Sequence, residues 1–437
     1  MPIAFGTFTA LIAASPVLLI NMGPANWAVV QLIAALLLVL SIFRSFPTDL
    51  ALIGDTLFRL GFLIALPGLW ILVQLLPLPL ASPLHSIWTS TAAALGTVSS
   101  GHLTVDVVET FASLLAYATW VALLISAAII TADRHRAELT ILVLAGVASL
   151  CGIILALNGR LPPWASFAAR SVEGQAFKLI VTLGSILAIA VIAGAIESRE
   201  SVVGSDNAQK GNRRLANIVF GLVTFLICTV SLVLQLEKRP LIGLLLGVFA
   251  FALTLLLRRM KPIVQPRAWM MAIFASAAIF LIVAQGLEKA GASGLLTFAV
   301  SLPPDVSRMS QRMLQDATWL GSGAGTFDTL ARVYQEAGST ALAQAPSSMI
   351  KLVVEWGKAA ATLANILAIA LAAMIYRGAI SRGRDSAYPA AAIGCIVVLG
   401  FEAYSGAALV SLPICLWSAA VIGLGVAQMT SRSARNA

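Results

Sequence analysis

The chain alternates long apolar runs with short polar breaks, and the runs have the length of membrane-crossing helices. Twelve runs are read, at 3–20, 25–43, 59–76, 108–131, 137–157, 176–196, 215–235, 240–257, 267–286, 358–376, 387–405 and 408–428. About 20 apolar residues in a helix cross the hydrocarbon layer, and these runs approach or reach that length. The short-strand alternation of a membrane barrel is missing. Thr7 and Pro16 dilute the first run, and only Glu237-Lys-Arg-Pro240 separates the seventh from the eighth, which predicts a tight turn at the membrane surface. The expected fold class is an all-α polytopic membrane protein of about 12 transmembrane helices.

From Gly286 to Trp356 the pattern becomes polar and predicts one large extracytoplasmic loop lobe. The chain therefore divides into helices 1–9 over 1–286, the loop over 287–357, and helices 10–12 with a short cytoplasmic tail over 358–437. Within the loop, Gly321-Ser-Gly-Ala-Gly-Thr-Phe327 reads as a close turn between two loop helices, with phosphate cradling by Gly321, Gly323 and Gly325 as the alternative. It lacks the Lys-Ser/Thr ending of a nucleotide-binding loop, and no strand precedes it. Met349, Ile350, Leu352, Val353 and Trp356 recur at helical spacing. They predict either an interfacial amphipathic helix or a simple extension of the span that follows. The second-longest outer stretch, 77–107, carries three prolines, Trp88, His85 and His102, and is expected to lie along the interface.

Composition agrees with a bilayer as partner. The chain is 59% hydrophobic and only 11% charged, with a mean hydropathy of +0.94, whereas soluble domains carry about 25% charged residues. A net charge of +9 raises the prospect of a nucleic-acid partner, but the cations are scattered over short loops, so none is expected. With the N-terminus inside, seventeen Lys and Arg fall on cytoplasmic segments and eight on outer ones. That bias predicts both termini in the cytoplasm. Cys151, Cys228, Cys395 and Cys415 all lie in apolar runs and read as core residues. The N-terminus lacks the features of a removable signal, so the first run is expected to be retained.

The informative cations lie on the outer side, where the charge bias discourages them: Arg170, Lys238, Arg239, Arg308 and Arg312. A guanidinium fork suits a phosphate or pyrophosphate, while snorkelling to lipid headgroups is the alternative. Arg239, in its tight turn, and Arg308, in the loop, are the expected catalytic cations. Arg170, Lys238 and Arg312 are expected to bind substrate. Glu355, near the membrane surface, is placed to face the site or a cationic partner. Asp316, Asp328, Glu336 and Glu355 are not clustered with histidine, so no metal is expected, and nothing calls for a cofactor. No nucleophile-elbow pattern occurs, and His85 and His102 read as surface residues.

Several of these segments, in this order, resemble the O-antigen ligase and polymerase family of bacterial surface polysaccharide assembly. Val73-Gln-Leu-Leu-Pro-Leu-Pro79 resembles the proline-bearing start of the family's first large outer loop, and His102-Leu-Thr-Val-Asp106 the stretch before the next span. Arg170 followed by Gly174 resembles a segment preceding a middle span. Lys238-Arg239 resembles the family's Ser-Arg-Gly turn, with Lys238 for Ser and Pro240 for Gly. Arg308 with Gly321–Phe327 matches the large outer loop, and Tyr404-Ser405 with Ser411-Leu-Pro413 the C-terminal pattern. The likeness spans roughly 70–425. It implies a metal-independent membrane glycosyltransferase of the bacterial inner membrane, acting on polyprenyl-pyrophosphate-linked glycan, with other polysaccharide-assembly proteins as further partners. One departure bears on mechanism. Ligases place a histidine eleven positions before a glycine at the end of this loop, and the corresponding position here is Pro346. A proline exchanges no proton. That role is then empty, or falls to Glu355, His85, His102 or another carboxylate. A lipid-linked glycan flippase and a non-catalytic scaffold are the competing expectations.

Overall fold

The computed structural model describes residues 2–20, 23–43, 47–77, 86–96, 101–158, 171–197, 208–259, 304–335, 345–381 and 386–429. Among them the chain is all-α with no β-strand. The helices are α1 (Pro2–Ala13), α2 (Ser15–Ile20), α3 (Pro24–Phe43), α4 (Pro47–Leu75), α5 (Ser86–Leu95), α6 (Val107–Ile130), α7 (Arg134–Leu157) and α8 (Val172–Glu197). They continue as α9 (Ala208–Leu234), α10 (Lys238–Arg259), α11 (Pro304–Asp316), α12 (Phe327–Tyr334), α13 (Ser348–Ser381), α14 (Ala387–Ser405), a 3-10 turn at Ala408–Val410, and α15 (Leu412–Met429). Ten helices among the described residues are long and apolar enough to cross a membrane, and the protein is a multi-pass membrane protein. The run expected at 267–286 lies outside the described residues.

The expected first span is not one helix. It breaks at Ala14, and a new helix starts at Ser15 with Pro16 in its first turn, where a missing N–H does no harm. The fully buried Trp417 indole holds this break by donating to Ser15 Oγ at 3.0 Å. The last span also starts later than expected, at Leu412, after the 3-10 turn. The turn before α10 forms as expected, with Leu236 at φ 54 and Pro240 in the first helical turn.

Hydrogen bonds define two ends of the bundle. At one end Arg258 pairs with Glu197 at 2.6 Å and bonds Ser386, while Gln428 donates to the Thr131 carbonyl at 2.6 Å. At the other end sits a lobe made of α11, α12 and the first part of α13. It has its own apolar core of Val306, Met309, Met313, Phe327, Ile350 and Val354.

Three helices are registered by one tight crossing. A Cβ on Gly247 of α10 would stand 2.4 Å from Ile186 Cδ1 and 3.0 Å from the Gly394 carbonyl, and one on Gly394 would stand 2.8 Å from the Gly247 carbonyl. Small residues allow such backbone approach inside a membrane, where packing rather than hydrophobicity drives association. Lys178, Arg239 and Glu402 each lie eight residues from this crossing, on α8, α10 and α14. Eight residues of helix span about 12 Å, and all three run toward the lobe. The crossing therefore delivers the three charges to one level.

Candidate functional site

The lobe meets the bundle along a seam of backbone. Gln74, a fully buried amide near the end of α4, donates to the carbonyls of Leu320 at 3.3 Å and Glu355 at 3.1 Å, and accepts from Ala324 N at 3.0 Å. Trp70 Nε1 donates to the Trp356 carbonyl at 3.1 Å. Val105 N donates to Ser322 O at 2.8 Å. Helix α13 breaks at Gly357 (φ 85, ψ 164), which separates a lobe segment from the membrane-crossing part. Of the two expectations for this stretch, a simple extension of the span does not hold: two helices meet at a kink, and Lys358 N donates to the Thr318 carbonyl at 3.4 Å.

The glycine segment is the turn between α11 and α12, and Gly321, Gly323 and Gly325 have φ of +80, +112 and +82. A Cβ on Gly321 would fall 2.3 Å from Glu355 O, one on Gly323 2.0 Å from Thr104 Oγ1, and one on Gly325 2.5 Å from Ser113 Oγ. Every N–H from 321 to 327 is bonded inside the fold. Gly321 donates to Thr318 Oγ1, Ser322 to Val354 O, Gly323 to Glu355 O, Ala324 to Gln74, and Thr326 to Gly323 O. Gly325 and Phe327 donate to the Glu355 carboxylate, the latter at 3.1 Å. That carboxylate, 5% exposed and with Lys351 Nζ at 3.8 Å, occupies the helix N-terminus that an anion would otherwise take. This placement corrects the phosphate-binding expectation for Gly321, Gly323 and Gly325, which keep no N–H for a substrate phosphate, and bears out the close turn. Glu355 meets a cationic partner, Lys351, as one of its two expectations had it, and closes the seam.

The expected cations separate into two groups. Arg308 and Arg312 lie on the exposed face of α11, and Arg308 pairs with Asp305 at 2.6 Å, the two side chains being 55% and 48% exposed. Lys238 is exposed and Arg239 half-buried at the start of α10. Arg170 lies outside the described residues, as do His85 and Glu336.

Arg239 joins a cluster that sequence reasoning noticed only in fragments. Lys178, 3% exposed, pairs with Glu237 at 2.7 Å, and Glu237 is 40% exposed. Arg239 and Lys178 both lie within electrostatic reach of the Glu402 carboxylate. Glu402 also bonds Ser405 Oγ at 3.4 Å and abuts Gly406, whose Cβ would lie 2.1 Å from Glu402 Oε1. Gln175 on α8 accepts from Ala407 N at 2.8 Å. Ser348, at the start of α13, donates its N–H to the Gly406 carbonyl at 2.7 Å and so couples the lobe to this cluster. Charged groups buried at such a depth are retained when paired, and they mark functional sites by default. Lys178 and Glu402 stand out in the sequence as single charges in apolar runs, and Gln74 carries the same kind of polar signal.

A small cleft of about 50 Å³ opens in the lobe beside Asp316, Thr318, Ser322 and Tyr334. Tyr334 donates to Asp316 at 2.8 Å, and burial together with that carboxylate pushes its phenol up to about 12, so it stays a donor. Among the described residues no group of three or more His, Cys, Asp or Glu is arranged to hold a metal ion. The mouth of the bundle is a charge-paired cluster of Lys178 and Arg239 with Glu237 and Glu402. Comparison with protein-family models and with characterised proteins finds no match to this chain.

Proposed function

We propose that this protein is a membrane glycosyltransferase that polymerises or ligates polyprenyl-pyrophosphate-linked oligosaccharide units in exopolysaccharide or O-antigen assembly. It would act at the outer face of a bacterial inner membrane, with both termini in the cytoplasm. The observation that carries the reading is the convergence of Lys178 and Arg239 on Glu402 beside the lobe. A lipid pyrophosphate presents its charge at this depth, with its prenyl chain in the bilayer and its glycan in water. Glu237, whose side chain is 40% exposed, is the carboxylate such a phosphate displaces. Arg239 then meets the charge that develops on the leaving pyrophosphate, a stabilisation needing no metal. Lys238 borders the same mouth, and Arg308 and Arg312 present a second cationic face on α11 toward the glycan. An exposed pair such as Asp305–Arg308 is weakly held, so its guanidinium is easily surrendered to a ligand.

Pro346 stands where a ligase carries its histidine, which favours polymerisation over ligation. A flippase would draw on the same Lys178 and Glu402. Among the described residues, however, the charges of the spanning helices sit near the ends of the apolar spans or near the Gly357 break, and a path across the bilayer requires them deeper. Arg239→Ala is expected to abolish chain extension while leaving membrane insertion intact, read as polymer length in cells carrying the variant. Normal long chains in that strain would overturn the proposal. Transport of lipid-linked glycan across liposomes without chain extension would favour the flippase.

A further inference from the structure

The charge chemistry at the mouth leaves the cleft in the lobe without a task. The cleft opens between the last residues of two helices, Asp316 of α11 and Tyr334 of α12, which the glycine turn brings together. Met313, Leu330 and Val354 give it apolar surface, while Asp316, Thr318 and Tyr334 give it polar atoms. Asp316 and Thr318 are exposed, so it is open to water.

The polar atoms have definite directions. Tyr334 donates to Asp316 Oδ2 at 2.8 Å, which fixes the carboxylate and leaves Oδ1 to accept from a further donor. Asp316 ends α11, where the helix dipole already concentrates negative charge, so this corner attracts an N–H and repels an anion. Thr318 Oγ1 accepts from Gly321 N at 3.0 Å, while its own proton goes to the Gly321 carbonyl at a long 3.3 Å. A bond from a hydroxyl is usually about 2.8 Å, so this proton is easily redirected to a better-placed carbonyl. Ser322 Oγ is already engaged with the Val354 carbonyl and Thr326 Oγ1, each at 3.0 Å.

Size narrows the ligand further. One water-sized group needs about 10–15 Å³, so about 50 Å³ seats about four of them. A hydroxyl or hydroxymethyl is too small to reach both Asp316 and the apolar surface. A carboxylate or phosphate meets Asp316 with like charge. An acetamido group matches the cleft in size and in chemistry: its nitrogen donates, its oxygen accepts, and its methyl is apolar.

We propose that the cleft binds the acetamido group of a 2-acetamido sugar, with Asp316 Oδ1 accepting its N–H, Thr318 donating to its carbonyl, and Met313, Leu330 and Val354 covering its methyl. That this group arrives on a glycan rests on the transferase reading above. The lobe thereby holds the glycan by one sugar, a task separate from the charge chemistry at the mouth.

The test uses full-length protein in nanodiscs and saturation-transfer NMR. The probes are the methyl glycosides of N-acetylglucosamine, N-acetylgalactosamine and N-acetylmannosamine, those of glucose, galactose and mannose, and N-acetylglycinamide. At least one acetamido sugar is expected to bind with a Kd on the order of 1 mM, with the strongest transfer at its acetyl methyl. Its 2-hydroxy counterpart is expected to bind at least about tenfold more weakly. Ala317→Leu fills the cleft from its lining, and Asp316→Ala removes the acceptor. Each is expected to weaken binding by about tenfold or more with an unchanged melting temperature, and if one of them melts early the other decides. Equal binding of acetamido and 2-hydroxy sugars, no binding of any sugar, or full binding by the folded variants overturns the proposal. N-acetylglycinamide binding as tightly as the sugar marks a site for peptide amides and overturns it too. Wild-type protein that extends lipid-linked glycan yet binds no acetamido sugar keeps the transferase reading and loses the cleft assignment. Wild-type protein that binds the sugar yet extends nothing loses the transferase reading alone.

Discussion

The seam beneath the lobe and the charged mouth of the bundle are built from like materials, buried polar groups near the ends of helices. They differ in what is left over. In the seam, seven consecutive N–H groups and the Glu355 carboxylate satisfy one another, Gln74 and their neighbours. At the mouth, two cations face two carboxylates, one of which, Glu237, is open to solvent. A saturated network rigidifies, because any change leaves a buried group unpaired. A charged cluster with an exposed member can trade that member for a ligand. The seam thus holds shape, as the close-turn reading of its glycine segment expects, while the mouth keeps a charged member open to solvent.

Substitutions should separate the two. Gly323→Ala forces a side chain onto φ +112 and against Thr104 Oγ1, at a combined cost of about 4 kcal/mol. The expected result is a lobe that is cut by protease while the rest of the membrane bundle resists. Gln74→Leu orphans the Leu320 carbonyl and the Ala324 N–H and takes one of two donors from the Glu355 carbonyl, costing about 3 kcal/mol, and is expected to lower the melting temperature in detergent and to lower activity in proportion. Arg308→Ala is the mildest. Its exposed pair with Asp305 is worth less than about 1 kcal/mol, so stability should hold while donor KM rises several-fold. A large stability loss in Arg308→Ala, or a harmless Gly323→Ala, would dissolve the distinction between seam and mouth.

Much of the fold was open to reading because hydropathy is a local signal. The span over 137–157 needs only its own residues to be seen, and α7 occupies Arg134–Leu157. The break at Ala14 was less visible, since Pro16 alone does not reveal that Trp417 is there to hold it. The site was legible one residue at a time. Arg239 is marked by its turn, and Lys178 and Glu402 carry a signal only as single charges in apolar runs. Their meeting depends on the crossing of Gly247, Gly394 and Ile186, which no single segment encodes. Glu355 meets an expected cationic partner in Lys351, but its place in the seam is hidden for the same reason. Its carboxylate is filled by Gly325 and Phe327, about 30 positions away along the chain, and a spacing of that kind has no periodic signature.

The seam also sets an order of manufacture. Gln74 waits for the Glu355 carbonyl, 281 positions later in the chain. At 5–20 residues per second a ribosome takes roughly 14 to 56 s to deliver it. Ser348 waits further, for Gly406 in the last part of the chain. Gln74 therefore gains its full set of partners only after the whole lobe has been made. A nascent chain stalled before residue 406 carries most of its membrane spans but lacks the Gly406 carbonyl that anchors Ser348, so the lobe is fastened to the bundle at one point before the other.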